Sequence, residues 1–223
     1  MTTPAVEDYL KAIYQLSEAG APVSTSAIAE RLGIAAGSVT GMLKRLAEAG
    51  LVEHTRYYGA RLTEDGANNA IRTIRRHRIL ELFLVDVLGY TWDRVHEEAE
   101  RLEHVVTDEL IDRMAGVLGQ PDADPHGAPI PAAEGEFHEH PFPTLAELCA
   151  GDGATLRRVP DEDAAALRYL AQLQLRPGAE LEVLEVAPFN GPLRVRINGT
   201  EQIVGRDLAK QIKVEPKEGT PQR

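Results

Sequence analysis

The stretch that decides the N-terminal fold is SAIAERLGIAAGSVTGMLKRLAEAGLVEH, residues 26–54. Its beginning predicts a short helix that is capped by Ser24 or Thr25 and ends at Gly33. The turn GIAAG follows, and the next residues predict another helix that ends at Gly50. Two short helices joined by a tight turn are typical of a helix–turn–helix unit.

The residues on either side of this block complete the unit. Residues 5–18 carry apolar side chains near helical spacing and predict a preceding helix. Residues 51–63, LVEHTRYYGARLT, alternate roughly and carry Gly59 at a turn, which predicts a two-stranded hairpin. We therefore expect a winged helix–turn–helix DNA-binding domain over residues 1–73.

The middle of the chain is predicted to be helical. Residues 64–88 predict a long helix that ends at Gly89, and residues 92–116 predict one further helix with an apolar stripe. Residues 119–143 are rich in Pro, Gly, His and acidic side chains and predict a loop. A helical domain is expected over residues 74–148.

The last third of the chain changes character. Four short stretches predict strands, one helix is expected over residues 161–173, and LRPG and NG supply turns. The strand-like stretches are TLRRV, AELEVLEV, PLRVRING and EQIVGRD. The fold class is therefore mainly α with a small β domain of barrel type, which is expected over residues 153–217.

Composition limits the classes of function. The chain has 223 residues and a net charge of −11, but residues 31–78 hold nine Lys and Arg against four Asp and Glu. A basic segment on an acidic protein fits DNA contact by one module and cation binding by another, although a chance fluctuation would give the same counts. Cys149 is the single cysteine, which excludes an intrachain disulfide and a Cys-rich zinc site; it is expected to be buried or half-buried.

The sequence shows no signal for membrane insertion or secretion. No apolar run approaches the ~20 residues that span a bilayer. The N-terminus has neither a basic region nor an apolar core of the signal-peptide kind. A cytoplasmic location without membrane contact is the expectation.

The candidate DNA-reading side chains lie in the second helix of the motif and in the hairpin. Small and hydroxylated residues let the helix approach the major groove, and basic residues neutralise phosphates. The alternative is a module that contacts only protein, in which the hydroxyl groups are caps. The candidates are Ala36, Gly37, Ser38, Thr40, Lys44, Arg45, Arg56 and Arg61.

Metal-ligand residues recur at helical spacing in the middle of the chain. His77 and Glu81 are four residues apart on one predicted helix, so they share a face. On the next helix the candidates are His96, Glu100, Glu103 and His104. Imidazole with carboxylate suits Mn²⁺ and Fe²⁺, and Zn²⁺ or Co²⁺ can also bind. A solvated charged helix face is the alternative interpretation.

Two other classes of function compete with a metal-sensing regulator. One is a metallohydrolase, but residues 96–104, HEEAERLEH, are not an HExxH motif, and neither a nucleophile elbow nor a phosphate-binding glycine loop appears. The other is a structural DNA-bridging protein without sensing, which would bind DNA independently of metal.

The chain resembles the diphtheria-toxin-repressor family of metal-dependent regulators over nearly its whole length, close to the manganese- and iron-sensing branch. Three stretches carry the resemblance: VEDYLKAIY, RRHRILELFLVDVLGYTWDRVHEEAERLEH and ADPHGAPIP. The C-terminal third resembles the SH3-like, FeoA-type domain of the longer members. The resemblance implies that the helical domain at residues 74–148 is the dimerisation and metal-binding domain. It also implies a homodimer that binds a palindromic double-stranded operator and represses metal-uptake genes when Mn²⁺ is replete.

The resemblance also implies two metal sites. The primary site would use Asp8, Glu100, Glu103 and His104. Iron-sensing members carry Met and Cys at the first two positions, so the two carboxylates here favour Mn²⁺ over Fe²⁺. The second site would use His77, Glu81 and His96, with Asp124, His126 and Asp163 as further candidates.

One position departs from the short manganese regulators. They carry a Glu that bridges two metals where this chain has Lys11, so two separated sites are expected instead of a close pair. Asp8 would join the DNA-reading domain to the metal-binding helices, so that metal fixes the arrangement that binds DNA.

Overall fold

The computed structural model describes residues 3–18, 20–55, 58–133, 137 and 141–217. They form two compact units, each built from several segments of the chain. The first unit comprises residues 1–80, 100–117 and 131–137, and the second comprises residues 81–99, 118–130 and 138–223. The three domain boundaries expected from the sequence remain a prediction.

Three helices begin the first unit: α1 (Pro4–Ser17), α2 (Thr25–Leu32) and α3 (Ala36–Glu48). The Ser24 hydroxyl accepts a hydrogen bond from the amide of Ala27 and caps α2. Gly33, with a φ of 65°, ends α2 in the left-handed conformation that glycine adopts without strain.

The hairpin pairs β1 (Val52–Thr55) with β2 (Gly59–Leu62) in antiparallel register. Gly59 has a φ of 110°, and a Cβ there would lie 2.3 Å from the carbonyl oxygen of Val23, so the position requires glycine. The hairpin and three helices share one apolar core, which confirms the predicted winged helix–turn–helix. Its fully buried members include Leu10, Ile13, Ile28, Val39 and Leu43.

The central helices are α4 (Glu64–Asp86), α5 (Val95–Leu102) and α6 (Asp108–Val117). The prediction of one helix over 92–116 was therefore wrong, because the chain turns between α5 and α6. Thr107 accepts a hydrogen bond from the amide of Leu110 through its hydroxyl and starts α6 as a cap. Glu103 and His104 consequently lie in the turn after α5 and not on a helix.

A five-stranded antiparallel sheet dominates the second unit, in the order β6-β5-β4-β3-β7. Two of its elements, α8 and β7, were missed by the sequence analysis. The structure confirms a mainly helical chain with a small β domain. The elements are β3 (Gly153–Arg158), α7 (Ala164–Gln172), β4 (Glu180–Val186), β5 (Leu193–Ile197), β6 (Thr200–Val204), α8 (Arg206–Ala209) and β7 (Lys213–Pro216).

Two smaller expectations concern the surface. Cys149 is exposed, so the expectation of a buried or half-buried thiol was wrong. None of the described helices combines the length and apolar character that a membrane span requires.

Candidate metal centres and DNA-binding face

Helix α3 presents most of the predicted DNA-reading residues on its exposed side. Val39, Leu43 and Leu46 are its buried residues and hold it on the core. The exposed residues are Ala36, Gly37, Ser38, Thr40, Lys44 and Arg45. This exposed face has small residues in the first turn of α3 and two basic side chains further along the helix. Such a face can approach a nucleic-acid backbone closely and neutralise its phosphates.

The hydroxyl of Thr40 donates to the carbonyl oxygen of Ala36, 3.1 Å away, so part of its hydrogen-bonding capacity is used within α3. In the wing, Arg61 donates from Nη2 to the carbonyl oxygen of Ala21 at 2.8 Å. Arg56, the other predicted wing residue, lies outside the described residues.

The first group of metal-ligand side chains comprises Asp8 of α1 with Glu103 and His104 of the turn after α5. Each offers a ligand atom within 4.8 Å of the others. Nε2 of His104 lies 2.9 Å from Oδ1 of Asp8 and 3.6 Å from Oε1 of Glu103. Nδ1 of the same ring lies 2.7 Å from Oε2 of Glu7, a residue that the sequence analysis did not select.

Lys11 places an ammonium group beside this first group. Its Nζ donates to Oε1 of Glu100 at 2.7 Å and to both oxygens of Glu103 at 3.0 Å, and it lies 3.3 Å from Nδ1 of His77. Glu100, the fourth residue of the predicted primary site, therefore contacts a lysine and does not join the group of three. The ammonium group is therefore surrounded by side chains of the types that bind metal ions.

The charge states of the first unit follow from burial and neighbours. Burial raises the pKa of the Asp8 carboxyl, and the nearby His104 opposes that effect. Burial lowers the pKa of Lys11, but Glu103 and Glu100 outweigh it, so the pKa lies above its usual value. Lys11 is thus a permanent cation at physiological pH.

His77 belongs to the first unit and is buried. Its Nδ1 lies 2.5 Å from Oε2 of Glu103, so it contacts a residue of the predicted primary site. Glu81 and His96, its expected partners in the second site, belong to the second unit. The joining of these three residues in one site remains a prediction.

The second group of metal-ligand side chains lies within the second unit and comprises Glu81, Asp124, His126 and Asp161. One ligand atom from each lies within 4.8 Å of the others, and the first three residues are buried. Oδ1 of Asp124 accepts hydrogen bonds from the amides of His126 and Ala128, at 2.8 and 3.0 Å, and so fixes the loop.

The ring of His126 has one nitrogen fixed and the other facing carboxylates. Nε2 donates to the carbonyl oxygen of Trp92 at 2.8 Å, because a carbonyl can only accept. Nδ1 is buried, has no hydrogen-bond partner within the described residues, and lies 3.8 Å from Oε2 of Glu81. Burial lowers the pKa of His126, but the Glu81 and Asp124 carboxylates outweigh it and raise the pKa from 6.5 to about 9.

The two remaining predicted ligands take different places. Nδ1 of His96 lies 3.2 Å from Oε1 of Glu81 and so borders the second group. Asp163 is the N-cap of α7, where its carboxylate accepts from the amides of Ala165 and Ala166. The structure brings Asp161 and not Asp163 to the group; the acidic run 161–163 was the signal, but it did not identify the member.

Both groups suit a divalent cation chemically. Each combines one imidazole with two or three carboxylates and no thiolate, the donor set of harder divalent metals. Several carboxylates close together and partly buried are costly without a positive charge. The buried Nδ1 of His126 offers the lone pair that such an ion needs once it loses its proton.

Comparison with known families covers almost the whole chain. The family described as the N-terminal DNA-binding domain of iron-dependent repressors matches residues 1–60. The metal-binding and dimerisation domain of the same repressors matches residues 63–132, and the FeoA domain matches residues 144–216.

Individual relatives agree. The iron-dependent repressor IdeR of Mycobacterium tuberculosis is 33% identical, with 94% of this chain and 96% of the relative covered. The diphtheria toxin repressor of Corynebacterium glutamicum is 33% identical, with 96% of each chain covered. A solved manganese-dependent transcriptional repressor in complex with manganese is 40% identical, with a TM-score of 0.88 over 95% of this chain and 100% of that one. The chain therefore belongs to the diphtheria-toxin-repressor family of metal-dependent transcriptional repressors, as its sequence predicts.

Proposed function

We propose that this chain is a Mn²⁺-dependent repressor that binds a palindromic operator as a homodimer and turns off metal-uptake genes. The observation that carries the proposal is the pair of oxygen-rich ligand groups, Asp8–Glu103–His104 and Glu81–Asp124–His126–Asp161. The first contains a residue of α1, which packs in the DNA-binding core.

The residues are assigned to two separate sites. The primary ion would be held by Asp8, Glu103 and His104. Glu100 lies nearby and forms an ion pair with Lys11. The second ion would be held by Glu81, Asp124, His126 and Asp161. We place Asp161 there in preference to Asp163, which caps α7. His77 and His96 are supporting residues in this assignment.

The chemistry of the donors favours Mn²⁺. Carboxylate oxygens are hard ligands, and neither group includes a sulfur atom that would favour later metals. The solved relative in complex with manganese supports this choice, whereas relatives of lower identity are named iron-dependent. Fe²⁺ is therefore the second candidate, and Zn²⁺ or Co²⁺ would bind in vitro.

The switch follows from the placement of Asp8. This carboxylate lies on α1, two residues before the fully buried Leu10 of the DNA-binding core, whereas Glu103 and His104 follow α5. A bound cation supplies positive charge that all three ligands share only when α1 lies against the turn after α5. The arrangement that completes the ligand set is thereby favoured, and it is the arrangement proposed to bind DNA.

The test is operator binding across a Mn²⁺ titration, with a duplex selected from random DNA by the Mn²⁺-loaded protein. We expect Asp8→Ala to require at least tenfold more Mn²⁺ for half-maximal binding, whereas Asp207→Ala, an equal charge change at a 91% exposed side chain, should match the parent. Equal binding by parent and Asp8→Ala without metal would contradict the switch. Activation at lower free Fe²⁺ than Mn²⁺ would favour the iron-responsive alternative.

A further inference from the structure

Helix α1 holds the imidazole of His104 at both of its nitrogens. Oε2 of Glu7 lies 2.7 Å from Nδ1, and Oδ1 of Asp8 lies 2.9 Å from Nε2. The side chains of Glu7 and His104 are only 12% and 11% exposed, so water competes little for this contact. Two consecutive residues of one helix thus contact the two nitrogens of the same ring.

Both ring nitrogens face a carboxylate, which can only accept, and a neutral ring has a single N–H to donate. An ion held by Asp8 and Glu103 would take the lone pair of Nε2, which faces those two side chains. The proton then belongs on Nδ1, where Glu7 accepts it. A carboxylate that fixes the far nitrogen of a metal-binding histidine sets the ring's orientation and makes it a better donor.

The other carboxylate oxygen of Glu7 lies near Arg76. Nη1 of Arg76 lies 3.9 Å from Oε1 of Glu7, whereas Nε of Arg76 donates to Oδ1 of Asp108 at 2.7 Å. The arginine is therefore directed mainly at Asp108. Because the 2.7 Å contact to His104 is much shorter than the 3.9 Å contact to Arg76, an ordinary ion pair with the arginine does not explain the position of Glu7.

We propose that Glu7 is a positioning residue for the primary metal site: it fixes the Nδ1–H form of His104 so that Nε2 is the ligand atom. The inference rests on the proposed metal-binding role of Asp8, Glu103 and His104. It gives α1 two tasks at adjacent residues, since Asp8 supplies a ligand and Glu7 orients another.

A nitrogen NMR experiment reads the ring directly. In protein loaded with ¹¹³Cd²⁺, a diamagnetic ion, we expect the His104 ring to keep its proton on Nδ1 and to show ¹¹³Cd coupling at Nε2. His104→Gln assigns the signals. Coupling at Nδ1 in the parent protein, or an unchanged His104 spectrum in Glu7→Ala, would overturn the proposal.

Mn²⁺ affinity supplies the second readout, measured from the free-ion EPR signal in a His126→Ala background that removes the second group. We expect Glu7→Ala to weaken binding about 10- to 100-fold. Glu7→Gln should weaken it less, because the amide oxygen still accepts from Nδ1–H. Asp108→Ala, which removes the same charge near Arg76 without touching His104, should leave affinity within about twofold, since its carboxylate is half exposed.

The comparison variants separate the possible failures. If Asp8→Ala and His104→Ala bind Mn²⁺ as the parent does, the proposed function itself is wrong. If those variants lose affinity while Glu7→Ala keeps it, only the positioning role of Glu7 fails. Thermal unfolding of each variant without metal identifies any loss that comes from misfolding.

Discussion

The ammonium group of Lys11 is the positive charge next to the buried carboxylate of Glu103 in the first unit. This group meets Glu100, Glu103 and His77 at distances of 2.7 to 3.3 Å, and Glu103 is fully buried. Without that positive charge the buried carboxylate of Glu103 would face a large desolvation cost. The lysine thus acts as a tethered cation next to the proposed primary metal site, where we expect a single ion to bind.

Replacing Lys11 by Met should expose this dependence. We expect Lys11→Met to lower the free energy of unfolding of the metal-free protein by about 3 kcal/mol, because it keeps the side-chain volume and removes the partner of a buried charge. Added Mn²⁺ should restore part of the loss, since a free cation can replace the tethered one. Urea unfolding in EDTA and in Mn²⁺ provides the measurement.

The matched control is Lys210→Met, which removes an exposed lysine paired with Asp207 and should change stability by less than about 0.5 kcal/mol. A Lys11→Met protein as stable as the parent in EDTA would show that the ammonium is not needed. Lys11→Glu extends the test, because a carboxylate in place of the ammonium group beside Glu100 and Glu103 should raise the number of Mn²⁺ ions bound in the first unit from one to two.

His126 predicts a pH dependence that changes sign with metal. Its pKa is about 9 in the fold against 6.5 in the unfolded chain, so protonation stabilises the metal-free fold. That contribution is complete below pH 6.5 and is lost as pH rises through 9. We expect the melting temperature of the metal-free parent to fall over this window by more than that of His126→Gln.

With Mn²⁺ present the proton on Nδ1 competes with the ion, so apparent affinity at the second group should rise over the same pH range. The only tryptophan of the chain, Trp92, stacks on His126 at 5.7 Å between ring centroids, and its fluorescence is a local reporter. Affinity that falls with rising pH would contradict the assignment of Nδ1 as a ligand.

At the scale of elements, the helix starts and stops were largely predictable because single residues determine them. Ser24 and Gly33 mark the start and the end of α2, and the turn of the hairpin requires a glycine at position 59, as the sequence predicts. The break between α5 and α6 was missed because the apolar spacing continues across it. The signal was Thr107 followed by acidic residues, which is an N-cap pattern.

The cap at Thr107 therefore deserves a direct test, because it ends the turn that carries Glu103 and His104. We expect Thr107→Ala to lower the free energy of unfolding by about 1 kcal/mol and to weaken Mn²⁺ binding, since the turn loses its anchor. Thr107→Ser should retain both properties. Urea unfolding and a Mn²⁺ titration give the two values, and an alanine variant with unchanged affinity would separate the cap from the site.

At the scale of the whole molecule, the sequence could name candidate ligands but could not assign them to groups. Asp161 and Asp163 lie only two residues apart in the sequence. Asp161 nevertheless joins the group of Glu81, Asp124 and His126, whereas Asp163 caps α7. Likewise, nothing in the sequence places Glu7 on His104 or Lys11 on Glu103. Such contacts depend on how distant segments pack, which the local pattern does not encode.

The proposed homodimer needs a surface at which two copies of the chain meet. Helix α6 carries an apolar stripe at Leu110, Met114 and Val117, in which the first residue is 42% and the last 70% exposed in the single chain. The stripe lies in the region that matches a dimerisation domain, and exposed apolar residues at helical spacing are suited to pairing with a second copy.

We therefore expect Leu110→Glu with Val117→Glu to convert a dimer to a monomer in sedimentation experiments. The monomer should bind operator at least 100-fold more weakly, because only a dimer engages two half-sites at once. Ile203→Glu places the same charge at a 61% exposed apolar residue of β6 and should remain dimeric. A double variant that still sediments as a dimer would show that another surface forms the interface.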